Sequence, residues 1–222
     1  KEGRVRENGV GEDGVVREGP GQELSRAARG ATFAVLLCLL AASGVAAQTT
    51  AELASGSSDM IGQVAPTWQQ RGWVNSEPVE PGQFQGRVVL LRFFTDQPVG
   101  AKAVRDLYRA YREQGLSAVG IYVPTPMPTS TDSEMVRRLA IAMGFDFPVA
   151  VDPGWETVNR YWLDRADAEP GAATFLIDRR GIIRYIQPDG RYEKDSRDRV
   201  ARRAYENLEK QVQLLLQEEP PQ

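Results

Sequence analysis

Few side chains in this chain of 222 residues can do chemistry: it has no His and a single Cys, Cys38. Without imidazole, the commonest general base and the commonest metal ligand are missing. The most suggestive spacing lies at Phe93–Lys102, FFTDQPVGAK. This stretch follows the apolar Val88-Val89-Leu90-Leu91 and opens a helical pattern, with Ala103, Val104, Leu107 and Tyr108 at helical spacing. A strand that runs straight into a helix presents a side chain to the helix N-terminus. There the dipole and unbonded amides depress a thiol's pKa and favour anions. The residues at this turn are Asp96, Gln97, Pro98, Val99, Gly100, Ala101 and Lys102, and none carries sulfur. Their types favour stability: Thr95 or Asp96 as helix cap, with Pro98 in the first turn. The functional reading of the same stretch is an anion or peptide-carboxylate site on the amides of residues 98–101, helped by Lys102.

Other constellations offer less. Asp132, Glu134, Asp146 and Asp152 read as caps and solvated loop ends, and Asp178 as a local turn residue. Trp155 and Trp162, seven apart, are expected to share a helical face near the turn and to line a peptide groove. Gly171, beside Ala172, favours close backbone approach and an open strand edge for an extended peptide. No phosphate loop, zinc spacing or nucleophile–base pair is present, so no cofactor or metal is expected. The 27 basic and 30 acidic residues, net −3, are interspersed. Nothing in them predicts a nucleic-acid partner or an anionic membrane.

The elements that must position these residues begin at about Ile61. Val88–Phe94 and Leu116–Val123 are apolar runs of buried strands. Helical periodicity marks Ala103–Tyr111, closed by Gly115, and Met135–Met143, capped by Asp132 or Ser133 and ended by Gly144. Phe147–Val151 is a short strand, and Trp155, Val158 and Tyr161 suggest a short helix. Ala173–Ile177 and Ile182–Ile186 flank the turn Asp178–Gly181 as a hairpin. From Asp195 to Gln217 one helix is expected, with Val200, Ala204, Leu208, Val212 and Leu215 on its stripe. The order predicts an α/β sheet covered by helices on both faces.

Before this domain, residues 1–30 read as a disordered or misassigned upstream segment. Residues 31–47, ATFAVLLCLLAASGVAA, have the length and flanks of a signal-peptide hydrophobic region. Arg26 and Arg29 precede it, and Val45-Ala46-Ala47 forms a small-residue cleavage site. A membrane anchor made of the same residues is the alternative. Residues 48–60 read as a linker, 61–217 as the domain and 218–222 as a polar tail. Cleavage after Ala47 removes Cys38. It leaves a thiol-free protein with no membrane insertion, in the periplasm or outside the cell.

The local sequences resemble the thioredoxin-like superfamily, most of all secreted redoxins of the TlpA and peroxiredoxin-like (AhpC/TSA) type. Ile61–Trp68 (IGQVAPTW) is similar to the family's opening iGxxAPxW. Gln85–Thr95 (QGRVVLLRFFT) is similar to GKvVLLxFWT, and Gly115–Val123 to the second strand. Phe147–Asp152 (FPVAVD) is similar to FPvxxD, and Ala173–Gly181 with Ile183-Arg184-Tyr185 to the TFLIDxxGxIxy hairpin. The resemblance implies a three-layer sandwich: a central mixed sheet, helices on both faces and a C-terminal hairpin plus helix. It also implies thiol–disulfide oxidoreductase or peroxiredoxin-type antioxidant activity. Active members place C-x-x-C where this chain has Pro98 and Ala101. Their cis-proline falls on Ala172, with Pro170 two residues earlier. The expected function is therefore an exported redoxin-type domain that has lost its redox cysteines. It would act as a non-catalytic module binding a peptide, a protein or a ligand in the cell envelope.

Overall fold

The computed structural model describes residues 59–68, 70–125, 132–164, 168 and 173–219. Cys38, residues 1–58 and the expectations attached to them lie outside these residues. Among the described residues no helix is long and apolar enough to cross a membrane.

Six strands form one sheet: β1 (Arg71–Val74), β2 (Val88–Phe94), β3 (Leu116–Tyr122), β4 (Val149–Val151), β5 (Thr174–Ile177) and β6 (Ile183–Gln187). Their order is β1-β4-β3-β2-β5-β6. β2, β3 and β4 run parallel to one another. β1 pairs antiparallel with β4, β5 with β2, and β6 with β5. β2 and β3 are buried at every position. They are covered on both faces, which is why they read as continuous rather than alternating apolar runs.

Alternate side chains of β2 feed two cores. On one face Val88, Leu90 and Phe94 pack with residues of α1 (Ala101–Tyr111), α2 (Ser133–Met143) and α4 (Arg199–Gln217), including Val104, Leu107, Val136 and Leu208. On the other, Val89, Leu91 and Phe93 meet Trp68, Val158, Tyr161 and Trp162. The last three belong to α3 (Glu156–Val158) and the π-helical turn that continues it, Asn159–Leu163. Leu107 is fully buried, and burying such a side chain stabilises by about 1.5–3 kcal/mol. The mixed sheet between two helical layers is the three-layer arrangement that the residue pattern implied.

Local details correct three expectations. β1 was unforeseen: four residues, RGWV, with Gly72 at φ +70, show no usable periodicity. α4 begins at Arg199, capped by Asp198, whose carboxylate accepts from the Val200 amide. Its buried stripe is Ala201, Tyr205, Leu208, Val212 and Leu215, and Val200 is 73% exposed. The periodicity was right in its last three turns and out of phase in the first, because the aromatic Tyr205 rather than Ala204 is the core residue there. By contrast α2 is capped by Asp132 and ended by Gly144 at φ +70, as its sequence implies.

Candidate functional site

The turn that follows β2 is built differently from a capped helix start. The Ala101 amide donates to the Pro98 carbonyl at 3.1 Å, and Gly100 sits at φ +72, ψ −2. These are the marks of a type II turn over Pro98–Ala101, which requires glycine at its third position. α1 starts only at Ala101, with Gly100 as its N-cap and no side-chain cap. Neither Thr95 nor Asp96 caps the helix. The Thr95 hydroxyl is used locally, accepting from the Gln97 amide at 3.2 Å. Pro98 therefore precedes the helix rather than occupying its first turn. The two ends of the turn differ in exposure: Pro98 is exposed, and Ala101 is buried.

The turn is supported from below by a residue that sequence reasoning passed over. Arg92 lies within β2 and is only 2% exposed. Its Nη2 donates to the Val99 carbonyl at 3.1 Å and its Nη1 to Thr174 Oγ1 at 3.0 Å. Thr174 Oγ1 lies 2.7 Å from the Tyr192 hydroxyl, and the Arg92 guanidinium stands 5.7 Å from the Tyr192 ring centroid. A cation over an aromatic face in a dry setting is favourable. The signal was available: one charge in an otherwise unbroken apolar strand must be buried, and a buried charge needs built partners.

The loop after β6 closes on the same turn. A Cβ placed on Gly100 would lie 2.6 Å from the Gly190 carbonyl oxygen and 3.3 Å from Tyr192 Cζ. One placed on Gly190 would lie 2.7 Å from Arg92 Nη2. Backbone thus meets backbone, with no room for a side chain at either glycine. Beside this contact is a hollow of about 340 Å³, walled by Pro98, Val99 and Lys102 on one side and by Arg191, Tyr192 and Ala201 on the other. Lys102 ion-pairs with Asp106 at 2.8 Å and Asp195 at 3.6 Å. The hydrogen bond that Lys102 Nζ donates to the Asp106 carboxylate holds its ammonium above the ordinary lysine range.

The remaining expected site residues are dispersed. Asp96 and Gln97 are exposed. Burial pushes the Tyr122 hydroxyl upward, and the Asp96 carboxylate adds to it. Trp155 is half-buried at φ +59, ahead of α3, and its Nε1 donates to the Pro124 carbonyl at 2.8 Å. Trp162 is buried, 6.3 Å from the Phe175 ring. The two indoles share no helical face, because only Trp162 lies in the helical segment. Gly171, Ala172 and Pro170 lie outside the described residues.

The carboxylates separate into structural tasks. Asp146 pairs with Arg109, and Glu134 with Arg137. Asp152 accepts from the Thr157 and Val158 amides, and burial still raises its carboxyl. Asp178 is buried, which raises its carboxyl, yet the Ile182 amide and Arg184 outweigh this and leave it below the usual carboxylate range. Its Oδ1 accepts from the amides of Arg180 and Ile182, and its Oδ2 faces Arg184 at 3.0 Å.

The family model for AhpC/TSA matches residues 61–186. Protein DipZ of Mycobacterium bovis and of Mycobacterium tuberculosis is 27% identical over 127 residues, covering 52% of this chain and 17% of DipZ. The chain thus spans a small part of the length of these curated relatives. A solved structure assigned as a disulfide isomerase from Bacteroides thetaiotaomicron has a TM-score of 0.56 at 23% identity, covering 71% of this chain and 91% of that one. One assigned as a thiol:disulfide interchange protein DsbE from Chlorobium tepidum has a TM-score of 0.55 at 21% identity, covering 70% and 97%. At such identities the structural likeness speaks to the fold: a thioredoxin-like α/β domain.

Proposed function

This chain belongs to the AhpC/TSA family, and from that premise we propose that it is a redoxin-type domain that binds a partner without redox turnover. The partner is a peptide or protein of the cell envelope, to which the chain is exported. One observation carries the reading: the redox positions hold Pro98 and Ala101, and the turn between them is occupied by contacts from Arg92 and Gly190. Dithiol–disulfide exchange runs through attack of a thiolate on a disulfide sulfur. Neither proline nor alanine supplies one, and the described residues contain no cysteine.

The full chain carrying Cys38→Ala tests this. Reduction of a protein disulfide in the presence of dithiothreitol, and consumption of hydrogen peroxide, should both match the protein-free background. A rate above background in that variant would sink the proposal. Export is tested separately by fractionating cells. The expected species is periplasmic or secreted and shortened at about Ala47. A full-length, membrane-held species would favour the anchored form.

A further inference from the structure

A second hollow, of about 200 Å³, lies at the end of the sheet away from the Pro98–Ala101 turn. It borders the Asp178–Gly181 turn, where β5 ends and β2 begins. Its floor is apolar: Trp68, Val89 and Ile177 line it, each no more than 4% exposed. Phe84 and Val64 line it as well, and Val64 is 70% exposed. The Trp68 and Phe84 rings stand 6.2 Å apart at 59° to each other. Two rings so inclined form a wedge in which a third can pack edge-to-face.

Bonds in its walls hold this hollow open. Trp68 Nε1 donates to the Val79 carbonyl at 3.0 Å. The 3-10 turn Pro81–Phe84 is fixed at its start, where the Glu80 amide donates to Gln83 Oε1 at 2.8 Å and the Gln83 amide to the Glu80 carbonyl at 3.0 Å. On the hairpin side the Ala65 amide donates to the Gly181 carbonyl at 2.8 Å, and Asp178 accepts from the amides of Arg180 and Ile182. Walls fixed in this way do not collapse, and apolar space that side chains leave costs stability. An apolar cavity of about 150 Å³ takes up benzene, so this hollow has the size for one ring with a small substituent. Its charges balance: Asp178 and Arg180 both line it, their carboxylate and guanidinium 3.5 Å apart. The Asp178 carboxylate also accepts from Arg184 at 3.0 Å. An anion would meet Asp178 and a cation Arg180, so the lining favours a neutral guest. Thr67 and Gln85 line the hollow too, and neither side chain bonds to another described residue. A hydroxyl and an amide are thus available to one polar substituent.

We infer that this hollow binds a small neutral aromatic molecule with a single hydroxyl, a phenol. Its ring lies between Trp68 and Phe84, and its hydroxyl is served by Thr67 and Gln85. The site goes beyond the partner-binding role proposed above and does not depend on it, since the two lie at opposite ends of the sheet.

The test titrates the full chain with phenol and follows it by NMR. Resonances of the Trp68 indole N–H, the Phe84 ring and the Val89 and Ile177 methyls should shift saturably in the millimolar range or below. Those of Val99 and Tyr192, beside the other hollow, should stay in place. Benzoate and benzylammonium should bind at least tenfold more weakly than phenol. Cyclohexanol should bind several-fold more weakly, since it lacks the edge-to-face contact. Phe84→Leu should weaken phenol several-fold. Thr67→Val with Gln85→Leu should also weaken phenol several-fold while leaving toluene unchanged, a split that a loss of folding would not produce. The inference is overturned if no saturable shift occurs, if the shifts fall on Val99 and Tyr192 instead, or if either charged comparator matches phenol. It is equally overturned if the double substitution weakens phenol and toluene alike, or weakens neither. Tighter binding of a capped Gly-Tyr-Gly peptide than of phenol would overturn it by assigning the hollow to a partner's side chain.

Discussion

Two four-residue turns, at opposite ends of the sheet, use the same backbone device. In Pro98–Ala101 the Ala101 amide donates to the Pro98 carbonyl at 3.1 Å, and in Asp178–Gly181 the Gly181 amide donates to the Asp178 carbonyl at 2.9 Å. Each has a glycine in the left-handed region, Gly100 at +72° and Gly181 at +82°. What holds them differs. The hairpin turn is held by its own first residue, since Asp178 bonds two amides within the next four positions. The turn after β2 is held by residues distant in sequence: Arg92 beneath it and Gly190 and Tyr192 beside it. A local turn keeps its shape through its own residue types. A tertiary turn keeps its shape through residues that the fold brings to it, whatever the side chains at Pro98 and Ala101.

The largest expected effect separates the two glycines. Gly100→Ala must hold an L-residue at positive φ, which costs about 1–2 kcal/mol, and must also displace the Gly190 carbonyl that the new Cβ would meet at 2.6 Å. A total loss of about 3 kcal/mol is expected once that backbone shift is included. Gly181→Ala carries the conformational cost alone, about 1 kcal/mol, because nothing lies within 4 Å of its Cβ position. Urea denaturation of both variants measures the gap. Equal losses would mean that the Gly190 loop does not press on the turn.

Next in size is Asp178→Asn. The amide oxygen can keep the Arg180 and Ile182 bonds made by Oδ1, but the other atom then turns an N–H toward Arg184. Arg184 retains Glu218, so the loss should be about 2 kcal/mol rather than the 3–5 kcal/mol of a wholly broken buried pair. The sign with pH follows from the depressed folded pKa. The ionised carboxylate contributes fully above its unfolded value of about 4, and that contribution disappears as pH falls through the lower folded value. The difference between parent and variant should therefore be full at neutral pH and shrink only in the acid limb. Urea melts at a series of pH values read this directly. A difference independent of pH down to the acid limb would assign Asp178 a packing role instead.

The same contrast explains what was legible in the residues. β2, β3 and the hairpin were visible because their burial on two faces, or their turn chemistry, is written in contiguous residues. Asp132 and Gly144 bounded α2 for the same reason. β1 was invisible because four residues including a glycine carry no period. Val200 was misassigned to the core because Ala204 and Tyr205 offer two phases for one stripe, and only packing chooses between them. At the site, the absence of sulfur at Pro98 and Ala101 was plain. The start of α1 was not, since Thr95 and Asp96 are good caps by type but the type II turn displaces the helix to Ala101. Arg92 looked like part of an apolar run. Its role depends on Thr174 and Tyr192, which only the folded sheet brings beside it.

The smallest effect probes the retained scaffold most directly. Pro98→Cys with Ala101→Cys places two thiols at the ends of the turn. A turn closed by an i to i+3 hydrogen bond keeps its end Cα atoms within about 7 Å, and a disulfide spans about 4.4–6.8 Å. The pair should therefore form an intramolecular disulfide under mild oxidant, read by mass and by thiol titration in the Cys38→Ala background. Closing so short a loop limits the gain to about 2 kcal/mol. Loss of the proline's fixed φ gives back up to about 1 kcal/mol, so the net stabilisation should be about 1 kcal/mol. Ala101 is only 6% exposed, so a thiol there is poorly placed to attack an external disulfide. Disulfide formation without appreciable turnover is the expected outcome. Failure to pair even under strong oxidant would mean that the turn has departed from the geometry a redox pair needs, and that more than sulfur was lost.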